Sequence, residues 1–278
     1  MSLAAPETET QETETHTKAN GLAEVSELDQ FKHYIYGNYH ETHVIFGNDT
    51  ETDWQRRLQG HVPVMRRLLP PNKTGAILDF GCGDGLLLAA AQSLGYSDLT
   101  GVDISGALLQ TAARHTSAKL RHADGLELLK TSPNGAFEAI IAFDILEHLT
   151  RPELLAASHE IARTLKPGGR LIIRVPNGGS AYSGQIYWSD LTHERLFTRE
   201  AFNQLLQPLG FGLIEAVEIP PVGVHGLKSG LQAAVWHMFR ALTVLRIASE
   251  TGQVRGHILT ANLHVIAHKD GADGEERG

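Results

Sequence analysis

Ala76-Ile-Leu-Asp79-Phe-Gly81-Cys82-Gly83-Asp84-Gly85-Leu-Leu-Leu-Ala-Ala-Ala91 decides the fold. Ala76, Ile77 and Leu78 form an apolar run that reads as a buried strand, three alternate glycines form a turn, and the Leu/Ala run beyond reads as a helix. Glycines at such a turn let the backbone take positive φ and approach a ligand with no Cβ in the way. The new helix meanwhile points free N–H groups at that ligand. The spacing narrows the ligand class. A dinucleotide-binding turn needs Gly-x-Gly-x-x-Gly, but here Gly85 follows Gly83 after the single residue Asp84, and Leu86 stands where the third glycine is required. Nicotinamide chemistry is therefore the weakest reading of this turn.

The chain of 278 residues suits one α/β domain with additions. Its formal net charge of -8 argues against tight non-specific binding to nucleic acid, which draws on Lys and Arg contacts to phosphate, and no DNA partner is expected. Cys82 is the only cysteine, so no internal disulfide forms. The chain does not open on a basic segment followed by an apolar one, and it holds no uninterrupted apolar run long enough for a transmembrane segment. A cytoplasmic location is the expectation.

Residues 1–26 are rich in Glu and Thr and read as a disordered arm. Residues 27–70 read as an N-terminal helical cap. Its first part carries Tyr36, Tyr39, His40 and His43, which either face a ligand or pack the cap onto the core. Its second part places Trp54, Leu58, Val62, Met65, Leu68 and Leu69 at helical spacing around Pro63. From the glycine turn onward strands and helices alternate, which predicts a parallel sheet covered on both faces. The strands are expected at Leu99–Asp103, Lys119–His122, Phe137–Phe143, Arg170–Pro176, Gly212–Ile219 and, antiparallel, Ala261–His268. A helix from about Pro152 to Leu165 stops at Lys166-Pro167-Gly168-Gly169. Thr198, followed by Glu200 and Phe202, reads as the N-cap of another helix. Residues 71–269 thus form one domain, with a lid insertion at about 222–258 and a flexible tail at 270–278. Within the lid, Leu227, Leu231, Val235, Met238, Phe239, Leu242 and Leu245 make a helical stripe, read as core or lid, with a homodimer contact or a membrane surface as alternatives.

Asp79 two residues before the first glycine, the Gly-x-Gly-x-Gly turn, the acid ending the second strand and the Leu-Lys-Pro-Gly-Gly turn stand in order between Ala76 and Pro176. Together they resemble the class I S-adenosylmethionine-dependent methyltransferases. The resemblance implies a Rossmann-like, mostly parallel seven-stranded sheet with helices on both faces and an N-terminal helical cap. It also implies that S-adenosyl-L-methionine is bound by Asp79, Gly81, Cys82, Gly83, Gly85, Asp103, Ile104, Ala123, Asp124 and Phe143. Two of these carry local alternatives. Asp103 is placed to accept from ribose hydroxyls, yet it or Ser105 could cap the helix at Gly106–Arg114. Asp124 sits where the family receives the adenine amino group, yet Asp-Gly is also an ordinary turn. Cys82 itself reads as a small packing residue and not a nucleophile.

Ligands of open parallel sheets lie outside the carboxyl ends of the strands, so the residues after Phe143 face the pocket. Asp144, Glu147 and His148 are spaced to share one face of a helical turn, and His193 lies in a later loop. This set resembles the Glu-x-x-Glu-His pattern with a distant His found in small-RNA 3′-terminal 2′-O-methyltransferases and, less closely, in ubiquinone-pathway O-methyltransferases. The resemblance implies Mg2+ or Mn2+ held by Asp144, Glu147, His148 and His193, with Asp144 one methylene shorter than the family's glutamate. His148 or His193 acting as a metal-free general base is the alternative, and another is that the acid and the His after the fourth strand hydrogen-bond the helix start or serve as substrate contacts. The expected protein is an O-methyltransferase for a small-molecule, sugar, natural-product or carrier-linked acceptor. An RNA-terminal methyltransferase and a cofactor-binding regulatory protein are the rivals. The loop Asp190-x-x-His193-x-Arg195-x-Phe197-Thr198 and the late stretches Glu250-Thr-Gly252 and Leu259-Thr-Ala-Asn262-Leu263 resemble bacterial methyltransferases of the first kind.

Overall fold

The computed structural model describes residues 50–220 and 227–271, with Phe31, Tyr34 and Ile35 before them. Contacts divide the chain into units 1–38 and 39–278. In the first unit, Phe31, Tyr34 and Ile35 have helical backbone. The acidic arm, Tyr36, Tyr39, His40, His43 and the tail beyond Gly271 lie outside the described residues.

Helix α1 (Glu51–Leu68) is the first described element of the second unit, capped by the Thr50 side chain, which accepts from the Asp53 amide, and running through Pro63. It is followed by β1 (Ile77–Phe80), α2 (Leu86–Ser93), β2 (Leu99–Asp103), α3 (Gly106–His115), β3 (Lys119–His122), α4 (Gly125–Thr131) and β4 (Phe137–Phe143). A 3-10 turn (Leu146–His148) leads to α5 (Arg151–Thr164), β5 (Leu165–Pro176), α6 (Ser183–Trp188), α7 (Arg199–Leu206) and β6 (Phe211–Val217). Helix α8 (Leu227–Thr251) and β7 (Asn262–Lys269) close the chain.

The seven strands form one sheet in the order β3-β2-β1-β4-β5-β7-β6. The first five are parallel, and β7 runs antiparallel to both β5 and β6. Alternation along each strand divides the core between two faces. Leu78, Ile140, Leu171 and Ile173 pack against Leu129 of α4, Leu154 and Ile161 of α5, and Phe202 and Leu206 of α7. On the other face, Ile77, Ile141 and Ile172 pack against Met65 and Leu68 of α1, Leu87 and Leu88 of α2, and Leu109 of α3. The central strands are thus buried on both sides and read as continuous apolar runs.

Three local features depart from the sequence reading. The Lys166–Gly169 turn lies inside β5 as a bulge, since Phe137 pairs with Leu165 while Ala139 already pairs with Arg170. Helix α8 runs beyond the apolar stripe to Thr251 and ends where Gly252 takes φ 75, the left-handed conformation that terminates helices. Helices α4 and α6 fill segments given no helix from sequence. No helix among the described residues is long and apolar enough to cross a membrane.

Candidate active site

The carboxyl ends of β1, β2 and β4 meet at one edge of the sheet, and the expected donor-binding residues gather there. Gly81, Gly83 and Gly85 have φ of 82, 52 and 78. At Gly83 a Cβ would meet no heavy atom within 4 Å, so this part of the turn faces open space. At Gly85 it would stand 2.8 Å from the Cβ of Ala112 on α3, so the last glycine serves packing instead. The turn is tied to the sheet by the Gly81 and Cys82 amides, which donate to the Val102 carbonyl at 2.9 and 3.0 Å. Cys82 is buried, its side chain fills the space beside Gly101, and burial together with Asp79 pushes its thiol pKa up.

Asp79 is 1% exposed, and neither carboxylate oxygen has a hydrogen-bond partner. Burial, reinforced by Asp103 and Asp84, raises its pKa from 3.8 to about 8. A fully buried carboxyl with both acceptors idle is costly unless something cationic or hydrogen-bonding completes it. Asp103 is differently placed. Its Oδ2 accepts from the Gly83 amide at 2.8 Å and its Oδ1 from Ser105 at 2.8 Å, while Ser105 itself caps α3. Each oxygen keeps a lone pair for a further donor. Burial outweighs these amide bonds and holds the Asp103 pKa above its ordinary range. Asp124 caps α4, its Oδ1 accepting from Leu126 and Glu127. Ile104 is exposed next to Asp103 at the same edge, and Ala123 donates its amide to the Asp103 carbonyl.

Helix α1 braces this cradle. Arg57 reaches Asp84 in the glycine turn at 2.6 Å, and Trp54 stacks on His115 of α3 with ring centroids 3.8 Å apart. His61 extends the bracing toward β5, its Nδ1 donating to the Arg57 carbonyl at 2.9 Å and its Nε2 accepting from Arg174 at 3.2 Å. Burial lowers the His61 pKa, in keeping with a neutral ring. Arg174 also lies over the Phe143 ring, 4.7 Å from its centroid, and grips both oxygens of Asp144. Arg57, His61 and Arg174 were not singled out from sequence. The one signal was an arginine in the apolar run of β5, at the end that reaches the pocket.

Of the four side chains expected around an ion, the structure gathers three. Glu147, His148 and His193 each present one ligand atom within 4.8 Å of the others. Asp144 does not join them, because its φ of 52 turns the chain out of helical geometry and its carboxylate goes to Arg174. The helical spacing therefore does not hold across this corner, which continues as the 3-10 turn. Glu147 is 1% exposed with Oε2 unpartnered, and burial followed by the nearby Asp144 drives its pKa well upward. Burial lowers the His148 pKa to about 4, so its ring is neutral at pH 7. The His148 and His193 ring centroids are 4.8 Å apart. His193 donates its Nδ1–H to the Tyr187 carbonyl at 3.0 Å, leaving Nε2 bare. The Glu194 amide donates to the Glu147 carbonyl at 2.8 Å and fastens the two loops together. Mixed oxygen and nitrogen donors, one of them an idle buried carboxylate oxygen, form a set that fits a divalent cation.

A family model described as a methyltransferase domain matches residues 51–216. A ubiquinone biosynthesis O-methyltransferase from Alkalilimnicola ehrlichii is 36% identical over 105 residues, covering 36% of this chain and 41% of that protein. A ribosomal protein L11 methyltransferase from Ralstonia nicotianae is 36% identical over 96 residues, covering 34% of this chain and 30% of that protein. The chain thus spans well under half the length of these relatives. Among solved structures, one of an S-adenosylmethionine-dependent methyltransferase from Archaeoglobus fulgidus superposes with a TM-score of 0.58 at 20% identity, over 78% of this chain and 98% of that one. At that identity the likeness concerns the fold.

Proposed function

The chain belongs to the methyltransferase-domain family, and on that premise we propose that it is an S-adenosylmethionine-dependent O-methyltransferase acting on a hydroxyl of a small-molecule, sugar or carrier-linked acceptor. The cradle supports the donor assignment. Gly83 leaves room for a ligand against the backbone, Asp79 holds two idle buried oxygens, and Asp103 stands at the tip of the neighbouring strand. When bound, S-adenosylmethionine supplies an electrophilic methyl group on sulfur.

One observation carries the acceptor reading: Glu147, His148 and His193 converge on one point beside the carboxyl end of β4. These three side chains would hold Mg2+ or Mn2+, which would supply Lewis-acid chemistry that lowers the pKa of an acceptor hydroxyl and orients it. The ring of His148 is neutral at pH 7, which suits it to ligation and makes it a weak general base. Glu147 and His148 are buried and His193 is half-buried, and alignment of acceptor and donor can lower the barrier by several kcal/mol. The name of the Alkalilimnicola relative, an O-methyltransferase, agrees with a hydroxyl acceptor. The net charge of -8 weighs against an RNA-terminal acceptor.

The test is methyl transfer from radiolabelled S-adenosylmethionine to a panel of hydroxylated metabolites and amines, with chelator and after Mn2+ is restored. Transfer to hydroxyls that is lost on chelation and in His193→Ala supports the proposal. Transfer only to amines, or indifference to both treatments, overturns it.

A further inference from the structure

A chain of hydrogen bonds behind His148 decides which of its ring nitrogens is bare. Thr192 Oγ1 lies 2.6 Å from Asp190 Oδ1 and 2.7 Å from His148 Nδ1. The Thr192 amide donates to the same Asp190 oxygen at 2.8 Å. An ionised carboxylate only accepts, and a hydroxyl has a single proton. The Thr192 proton is therefore committed to Asp190, and the contact with His148 is satisfied only if Nδ1 carries the hydrogen. The ring is then the Nδ1–H tautomer, with the lone pair on Nε2. His193 reaches the same tautomer by another route, through the Tyr187 carbonyl. Both rings thus have an outer partner of the kind that orients histidine ligands.

We propose that Asp190 and Thr192 are positioning residues, which lock His148 as the Nδ1–H tautomer and so present its bare Nε2 to the group shared with Glu147 and His193. The inference deepens the metal-assisted reading and rests on it for its purpose, but the tautomer itself is measurable without donor, acceptor or ion. In the full chain labelled with 15N-histidine, long-range proton–nitrogen correlation is expected to give His148 a pyrrole-type Nδ1 and a pyridine-type Nε2. Thr192→Val should abolish that preference and weaken Mn2+ binding by about 10–100-fold, whereas Thr192→Ser should restore both. Asp190→Asn, which leaves the threonine free to turn its hydrogen toward the ring, serves as a second variant should Thr192→Val misfold. A pyridine-type Nδ1 in the wild-type protein, or an unchanged tautomer in folded Thr192→Val and Asp190→Asn, overturns the proposal. A tautomer as expected without any Mn2+ binding would sustain the lock and remove the metal reading alone.

A separate observation concerns α8. Leu231, Val235, Met238, Leu242 and Leu245 are all exposed, and they recur at alternating intervals of four and three residues. That is a heptad seam, with Leu or Met at one position and Val or Leu at the other. The opposite side of the helix is fixed to its own domain by Arg240, which bonds Glu218 of the segment after β6 at 2.6 Å. With Phe239 beside it, the seam exposes on the order of 600 Å², at the upper end for a monomer's largest apolar patch and near the ~800 Å² per partner of a standard interface. Both arginines of the helix are paired with acids of the same chain, Arg240 with Glu218 and Arg246 with Glu250. With Lys228 as the one further lysine or arginine in its sequence, the helix lacks the Lys/Arg-rich polar face of a membrane-surface helix.

We infer that α8 pairs with α8 of a second copy of this chain about a two-fold axis. Met238, at the middle of the seam, then packs against its counterpart if the helices run parallel and lies within a turn of it if they run antiparallel about the seam's centre. Sedimentation equilibrium of the full chain is expected to give twice the 30.3 kDa chain mass. Met238→Glu and Met238→Lys should each give the single mass, and mixing the two should restore the double. A wild-type monomer at micromolar concentration overturns the inference. So does a dimer insensitive to both changes, or a monomer that pellets with phosphatidylglycerol vesicles through this helix.

Discussion

Asp79→Asn provides a quantitative probe of the cradle. Burial holds the Asp79 carboxyl in its neutral form, with a pKa of about 8 in place of 3.8. An acid whose folded-state pKa is raised binds its proton more tightly when folded. Its stability contribution is full below the unfolded pKa and is lost as pH rises through the folded one. At ~1.4 kcal/mol per pH unit, the span from 3.8 to about 8 amounts to on the order of 5 kcal/mol, and roughly 2.5 kcal/mol of that falls between about pH 6 and pH 9. An asparagine at this position does not titrate. The melting temperature of Asp79→Asn relative to wild type should therefore climb across that interval by roughly 5–10 °C, given about 2–4 °C per kcal/mol for a chain of this size. Differential scanning fluorimetry of ligand-free protein in a series of buffers reads the difference directly. The same substitution should weaken binding of the demethylated donor product most above about pH 8, where the ionised carboxylate offers acceptors on both oxygens and asparagine on one alone. A melting-temperature difference that is flat from pH 6 to pH 9 would refute the reasoning, for Asp79 would then be ionised or partnered throughout.

Gly85→Ala should destabilise the fold by about 2–4 kcal/mol, because its Cβ would meet Ala112 at 2.8 Å and φ is +78. Gly60→Ala, inside α1 with nothing within 4 Å, should instead stabilise by about 0.5–1 kcal/mol in urea titration. Burial lowers the His264 pKa to about 4, so its neutral ring favours the fold above the unfolded value of 6.5, and that contribution is lost as pH falls toward 4. His264→Leu should flatten the acid limb of the stability curve by about 3 kcal/mol, as read by urea titration at successive pH values. Mn2+ should raise the melting temperature of wild type but not of Glu147→Gln/His193→Ala, in which two of the three gathered ligands are altered. Equal shifts in both proteins would remove the cluster as the site.

The sheet was legible where burial on both faces wrote an apolar run, as in Phe137–Phe143, and where a glycine turn or an acid marked the strand end, as at Asp103. The strand bounds at Leu99–Asp103, Lys119–His122 and Phe137–Phe143 coincide with those read from sequence. The corner at Asp144 was not legible, because spacing rules assume helical dihedrals and a positive φ on a non-glycine residue leaves no mark in the pattern. The partners of the site residues were also hidden. That Arg174 takes Asp144 away from the cluster, and that Thr192 stands behind His148, depend on which strand ends and loops the fold brings together. Asp124 shows a further case: the Asp-Gly pair read as an ordinary turn, whereas the Asp124 side chain caps α4, a helix too short to write a periodic pattern.

The central claim is that the turn from Gly81 to Gly85, with Asp79 and Asp103, holds the nucleoside end of a sulfonium donor. Isothermal titration of the purified chain with S-adenosylhomocysteine tests it most directly. Saturable binding of one ligand per chain and no heat with NADH are expected. Saturation by NADH with no response to S-adenosylhomocysteine would contradict it.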